Sequence, residues 1–117
     1  MDINVNSREL DNMVQLIEAK GEIDVYTSSK LKDAINAHID QGKVNLIIDL
    51  EGVRYIDSTG LGVLIGALKR VREGQGHIAL VCTNGQVVKI FDITGLSKIF
   101  EICPTVQKAE AFIAQGK

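Results

Sequence analysis

The sequence predicts an α/β fold with a largely parallel core and antiparallel pairing at its N-terminal edge. Three observations predict it. Val44-Asn45-Leu46-Ile47-Ile48-Asp49-Leu50 is a nearly all-apolar run rich in branched residues, which reads as a strand buried on both faces. After it, segments of helical periodicity alternate with short apolar runs, the pattern of strand–helix–strand units. The first 24 residues instead interleave apolar and polar positions in two stretches, which suits an antiparallel pair.

The elements follow in order. Ile3 and Val5, then Val14, Leu16, Ala19 and Ile23, mark two strands joined by a turn near Asp11-Asn12, and Gly21-Glu22-Ile23-Asp24 ends the second. A helix opens at Ser28 or Ser29, presents Leu31, Ala34, Ile35 and Ile39 on one face and is stopped by Gly42. The buried strand covers Asn45 to Leu50. A helix opening near Ser58 carries Leu61, Leu64, Ile65 and Leu68 at helical spacing, with Lys69, Arg70 and Arg72 at the end where the dipole favours cations. Gly74-Gln75-Gly76 turns the chain into a strand from His77 to Val81. Val87, Val88, Ile90, Phe91 and Ile93 then suggest a short helix capped by Gly95. A short strand around Phe100 to Ile102 and an amphipathic helix from Thr105 to Gln115, with Val106, Ala109, Phe112 and Ile113 inward, complete the order. No linker, repeat or low-complexity segment interrupts it.

Composition bounds the function. With 117 residues, 45% hydrophobic and 24% charged, residues 1–117 have the make-up of one soluble domain, able to bury roughly two-thirds of its unfolded surface. A net charge of −2 argues against nucleic acid as a partner, and the basic cluster Lys69-Arg70-Val71-Arg72 runs straight into Glu73. Aromatics make up 4% with no Trp, so no stacking platform or aromatic-lined ligand pocket is expected. No apolar run approaches the ~18 residues of a membrane helix, and the polar start Met1-Asp2-Ile3-Asn4 is not a secretory signal. A cytoplasmic chain is expected. Cys82 and Cys103 form no C-x-x-C pair and read as buried reduced thiols, while His38 and His77 read as a surface helix position and a strand edge. No metal site is expected.

The most informative stretch is Asp57-Ser58-Thr59-Gly60-Leu61-Gly62, where a strand gives way to a helix. Asp, Ser and Thr are all good N-cap types, so the helix begins at or next to Ser58 with several backbone N–H groups unpaired by the helix itself. Those donors, and the dipole, would favour an anion such as a phosphoserine. A well-capped helix with glycines for close packing is the plainer reading. Two features weigh against it: a cap needs one such residue rather than three, and glycines early in a helix cost about 1 kcal/mol each relative to alanine, so something is expected to approach the backbone.

Catalytic motifs are missing. Ile56 and Asp57 occupy the positions before Ser58, so there is no G-x-S-x-G elbow, and neither a G-x-x-x-x-G-K-[ST] loop nor a G-x-G-x-x-G fingerprint occurs. The chain reads as a substrate or partner of an enzyme, not as an enzyme.

Asp57-Ser58-Thr59-Gly60-Leu61-Gly62, taken with Gly21-Glu22-Ile23-Asp24 and Ile93-Thr94-Gly95-Leu96, resembles the STAS domain of bacterial anti-sigma factor antagonists over nearly the whole chain. The resemblance implies a single STAS-like domain, with a mixed central sheet of about four to five strands and helices packed mainly on one face. It implies a partner-switching regulator of transcription whose unphosphorylated form binds an anti-sigma factor and so releases the sigma factor. That anti-sigma factor would be a serine kinase with a histidine-kinase-like ATP fold, opposed by a metal-dependent serine phosphatase. Mg-ATP then belongs to the partner kinase, and the chain itself needs no cofactor. Ser58 matches the phosphoacceptor, and Asp24 the acidic residue expected to help engage the kinase, although Asp24 also reads as a turn residue ahead of a helix. Asp57 and Thr59 are implied to shape the acceptor turn, and Gly60 and Gly62 to form the close-approach surface. The helix after Asp24 opens with Thr27-Ser28-Ser29, without the proline many relatives carry there.

Phosphate on Ser58 would add about −1.5 to −2 charge beside Asp57, opposing docking by repulsion and desolvation without a large conformational change. Two other readings keep the fold: a STAS scaffold subunit of a sensory assembly or a lone relative of the transporter-linked domain, and a module that binds nucleotide or a small apolar ligand. A scaffold need not keep D-S-T-G, and a transporter-linked copy would follow a membrane region. Leu61 and Val63 read as surface hydrophobics that could serve a hetero-partner, a self-contact or neither.

Overall fold

A computed structural model describes residues 2–116; Met1 of the polar start, and the outermost positions of the expected 1–117 domain, lie outside the described residues. Five strands form one sheet in the order β1 (Ile3–Glu9), β2 (Gln15–Ile23), β3 (Asn45–Ile56), β4 (His77–Val81) and β5 (Glu101–Cys103). β1 and β2 are antiparallel, joined through a single 3-10 turn at Asp11–Met13, and every later pairing is parallel. Helices α1 (Ser28–Ile39), α2 (Ser58–Glu73) and α3 (Gly85–Ile93) connect the parallel strands, and α4 (Val106–Gln115) follows β5.

Parallel strands laid down in sequence order, each joined by a right-handed crossover, put all their connecting helices on one face. The core shows this division. Leu46, Ile48 and Leu50 of β3 pack with Leu31 and Ile35 of α1, Leu64 and Leu68 of α2, and Phe91 of α3. Ile47, pointing the opposite way by the period-two pleat, joins Leu16, Val81, Ala109 and Ile113 under α4. The near-continuous apolar run of β3 is therefore explained: both faces are covered.

The expected mixed sheet, with its helices mainly on one face, is the one observed. Three details differ from expectation. β3 does not end at Leu50 but continues through Glu51-Gly52 to Ile56, burying Val53 and Ile56 against the long β2. Exposed Glu51 and Gly52 look like a strand end, yet Gly52 only marks where β2 presses close: a Cβ there would lie 2.6 Å from Lys20 Cγ. β5 is shifted one residue, because Phe100 turns into the core, edge-on to Phe91 at 6.1 Å. Leu61, expected at the surface, is buried under α2.

Cys82 and Cys103 are both buried and free. They belong to opposite faces of the sheet, with Cys82 in the three-helix core and Cys103 under α4, so their side chains diverge. Burial pushes both thiols up, which keeps them protonated and unreactive. His77 opens β4, and His38 lies half-buried near the end of α1, where burial and then Lys43 push its pKa down.

The α2–β4 turn has a strict steric requirement. Gly76 donates its N–H to the Val71 carbonyl at 2.6 Å, and a Cβ on it would drive into the Val44 carbonyl and side chain. Because the obstruction is backbone rather than a flexible side chain, Gly76→Ala is expected to lower the unfolding free energy by about 1–3 kcal/mol, read as a drop in the urea midpoint at unchanged slope.

Candidate functional site

The site lies at the C-terminal ends of β2 and β3. In parallel sheets this edge gathers the loops that precede helices, and so their free N-terminal donors. Ile23 pairs with Ile56, and the next residue, Asp57, donates its N–H to the Ile23 carbonyl at 3.0 Å. That bond fixes the loop leaving β2 beside the residue that begins α2. The loop after β4 is tied to β3 near the same edge, since Asn84, the cap of α3, donates to the Val53 carbonyl at 3.3 Å.

Asp57 is the N-cap of α2. Its Oδ1 accepts the Thr59 N–H at 3.0 Å, the Gly60 N–H at 3.2 Å and the Thr59 hydroxyl. The Thr59 hydroxyl bond, followed by the Gly60 and Thr59 amide bonds, holds the Asp57 carboxyl below its ordinary value. Ser58 is the first helical residue and is exposed, and its hydroxyl makes no hydrogen bond among the described residues. Thr59 is also exposed.

This geometry corrects one expectation. The N–H groups thought free to receive a phosphate are largely taken: Thr59 and Gly60 bind the Asp57 carboxylate, and Asp57 itself binds Ile23. The anion position at the start of α2 is filled by the protein's own carboxylate. A phosphate on Ser58 therefore stands beside a bound negative charge rather than in an empty cradle.

Gly60 is corrected as well. It is buried, not part of an approachable surface, because a Cβ there would meet Ile23 Cγ2 at 2.6 Å and Ile56 Cγ1 at 2.7 Å. Its small size lets α2 start directly against the ends of β2 and β3. Gly62, by contrast, is exposed, and beyond its chain neighbours and the local backbone of α2 no atom lies within 4 Å of a Cβ position, so nothing packed against it asks for glycine there.

Asp24 is 7% exposed and its Oδ1 closes the β2–α1 turn, accepting the Tyr26 and Thr27 N–H groups at 2.9 Å each. The Thr27 hydroxyl accepts the Asp24 N–H at 2.9 Å and shares its proton between the Glu22 carbonyl at 2.7 Å and Asp24 Oδ1 at 3.1 Å. The reading of Asp24 as a turn residue has this geometry behind it. The same turn holds two side chains that the motif reading passed over: Val25, 61% exposed, and Tyr26, 86% exposed. Two apolar residues inside a turn were the available signal. Tyr55, two residues before Asp57, is exposed too.

A groove of about 650 Å³ runs from this edge down between α1 and α2, bordered by Lys32, Thr59, Gly62, Val63, Gly66 and Lys69. Arg70 ties the helices together at its far end, donating to Asn36 Oδ1 at 2.9 Å and Asp40 Oδ1 at 2.8 Å. Among the described residues no group of three or more His, Cys, Asp or Glu could hold a metal, and no helix is long and apolar enough to cross a membrane.

Comparison with known proteins matches this arrangement to a family. The family model described as "STAS domain" matches residues 4–109. The chain is 41% identical over 102 residues to the anti-sigma-B factor antagonist of Listeria monocytogenes, covering 87% of this chain and 90% of that one. It is 39% identical to the Bacillus subtilis protein of the same name, covering 87% and 92%. Among solved structures, an anti-sigma factor antagonist from Mycobacterium paratuberculosis superimposes with a TM-score of 0.88 at 28% identity, covering 96% and 94%.

Two outcomes follow from the site geometry. Gly60→Ala is expected to destabilise by about 1–3 kcal/mol by overpacking, whereas Gly62→Ala is expected to stabilise by up to about 1 kcal/mol through helix propensity; paired urea titrations read both. Asp57 has a folded-state pKa below its unfolded value, so its contribution to stability is complete above the ordinary carboxylate pKa of 3.8 and is lost as pH falls through the lower folded value. Melting temperatures of wild type and Asp57→Ala should differ at neutral pH and converge in acid below that range.

Proposed function

This chain belongs to the STAS domain family, and on that premise we propose that it is an anti-sigma factor antagonist switched by reversible phosphorylation of Ser58. In its unphosphorylated form it binds an anti-sigma factor, freeing the sigma factor for transcription. The partner is a serine kinase with a histidine-kinase-like ATP fold that supplies Mg-ATP, and a metal-dependent serine phosphatase reverses the modification. The chain is non-catalytic, takes no cofactor of its own and works in the cytoplasm as one domain over residues 1–117.

One observation carries this reading: an exposed serine with an unengaged hydroxyl at the first position of α2, in a chain whose relatives are named anti-sigma-B factor antagonists. The docking surface is the edge around it. Val25, Tyr26 and Tyr55 offer exposed apolar and aromatic area of the kind enriched at interface centres, and Gly62 lets a partner approach the α2 backbone. Asp24 acts on the kinase by shaping the turn that presents Val25 and Tyr26.

The switch is electrostatic. Phosphate on Ser58 adds about −1.5 to −2 charge next to the ionised Asp57, at an edge that must lose water when the partner docks. Because Asp57 already occupies the Thr59 and Gly60 N–H groups, the added charge finds few donors to offset it. A penalty of about 3 kcal/mol lowers affinity roughly a hundredfold, enough to exchange one partner for another.

Incubation of the chain with Mg-ATP and each histidine-kinase-like anti-sigma factor of the same genome, read by intact mass, is expected to add one phosphate to wild type and none to Ser58→Ala. The phosphorylated chain should bind that partner roughly a hundredfold more weakly. A Ser58→Asp chain that bound as tightly as wild type would count against the switch, and absence of both binding and modification with every candidate would favour a scaffold role.

A further inference from the structure

We infer that Asp57 decides which of two adjacent exposed hydroxyls receives the phosphate, by holding the Thr59 hydroxyl in a hydrogen bond and leaving that of Ser58 free. This inference rests on the proposed phosphorylation and names what gives it its site.

Ser58 and Thr59 lie side by side in the first turn of α2, and both are exposed. Access alone does not choose between them, and two alcohols differ little as nucleophiles. Their engagement differs. Asp57 Oδ1 takes both the N–H and the hydroxyl of Thr59, a two-point grip that fixes the stiff β-branched side chain over the helix start. The carboxylate is ionised at neutral pH, so the hydroxyl bond to it is charge-assisted.

In the transfer, the hydroxyl oxygen forms a bond to the γ-phosphorus of ATP as the bond from that phosphorus to ADP breaks, and the hydroxyl proton passes to a base on the kinase. At Ser58 the hydroxyl can turn toward both groups without breaking a bond in its own protein. At Thr59 the proton is held in the bond to Asp57, so its passage to the kinase base first requires that bond to open. The product would also suffer, since a phosphate on Thr59 would lie against the carboxylate that grips the same residue. Asp57 acts here as a positioning residue, through Thr59 rather than on ATP.

The variant that exposes the effect is Asp57→Gly, because glycine removes the acceptor while remaining a tolerated N-cap. Asp57→Asn keeps an acceptor oxygen and serves as the conservative control. With the kinase and Mg-ATP, Ser58→Ala should stay unmodified. Asp57→Gly/Ser58→Ala should take phosphate on Thr59 at a rate at least about tenfold higher, the ratio that loss of one charge-assisted hydrogen bond corresponds to. Asp57→Asn/Ser58→Ala should fall between them, with melting temperatures verifying that all are folded. Phosphate on Thr59 of Ser58→Ala at the wild-type rate would overturn the inference. So would a silent Asp57→Gly/Ser58→Ala chain when Asp57→Gly alone is modified at Ser58.

A second measurement needs no kinase. The Asp57 carboxyl titration, followed by NMR, should move up toward the ordinary carboxylate value in Thr59→Val. If wild type takes no phosphate from any candidate, the functional reading fails and the choice of hydroxyl with it; if phosphate is taken and this midpoint is unchanged, the Asp57–Thr59 hydroxyl bond is not what makes the choice and the inference is overturned.

Discussion

The parallel pairing of β2 with β3, carried as far as Ile23 and Ile56, is the constraint on which the rest of this structure depends. It brings two loop starts to one edge, and the Asp57 N–H bond to the Ile23 carbonyl locks them in register. Two irregularities in the pairing, between Glu18 and Lys20 and between Gly21 and Glu22, each take up an extra residue of β3 and so keep the strands paired to that point. Gly60 then permits α2 to begin against the two strand ends without a gap. Together these features fix where Ser58, the residue after Asp57, stands on the edge.

Asp24 and Asp57 show how one residue type serves two loops at the same edge. Each uses a single carboxylate oxygen to bind two backbone N–H groups and a threonine hydroxyl just downstream, Thr27 in one loop and Thr59 in the other. The first is buried and holds a turn that exposes Val25 and Tyr26. The second is solvent-facing and caps the helix that starts with Ser58. The edge thus already holds two acidic side chains, and under the proposed function an added phosphate would oppose docking through charge without requiring the fold to move.

Much of this was legible in the residues. The alternation of β1 and β2, the two-faced run of β3, the start of a helix at or next to Ser58 and the D-S-T-G turn are all local patterns, and local chemistry decides them. What the sequence hid depends on tertiary neighbours. The second half of β3 reads as a polar loop until β2 is laid beside it, and the roles of Gly60 and Gly62 separate only once Ile23 and Ile56 are in place. Leu61 was read as a surface hydrophobic, but its helical phase turns it into the core. The capped state of the Thr59 and Gly60 N–H groups was hidden for a different reason: three candidate caps stood in a row, and only geometry identifies Asp57 as the one that takes the donors.

The central claim is that phosphate at Ser58 acts through charge at a pre-formed edge, not through rearrangement of the fold. Amide NMR spectra of the chain before and after stoichiometric phosphorylation test it most directly. Shifts confined to residues 22–28 and 55–63 are the predicted result. Shifts of comparable size in β5, at the opposite edge of the sheet, and along α4 would contradict it.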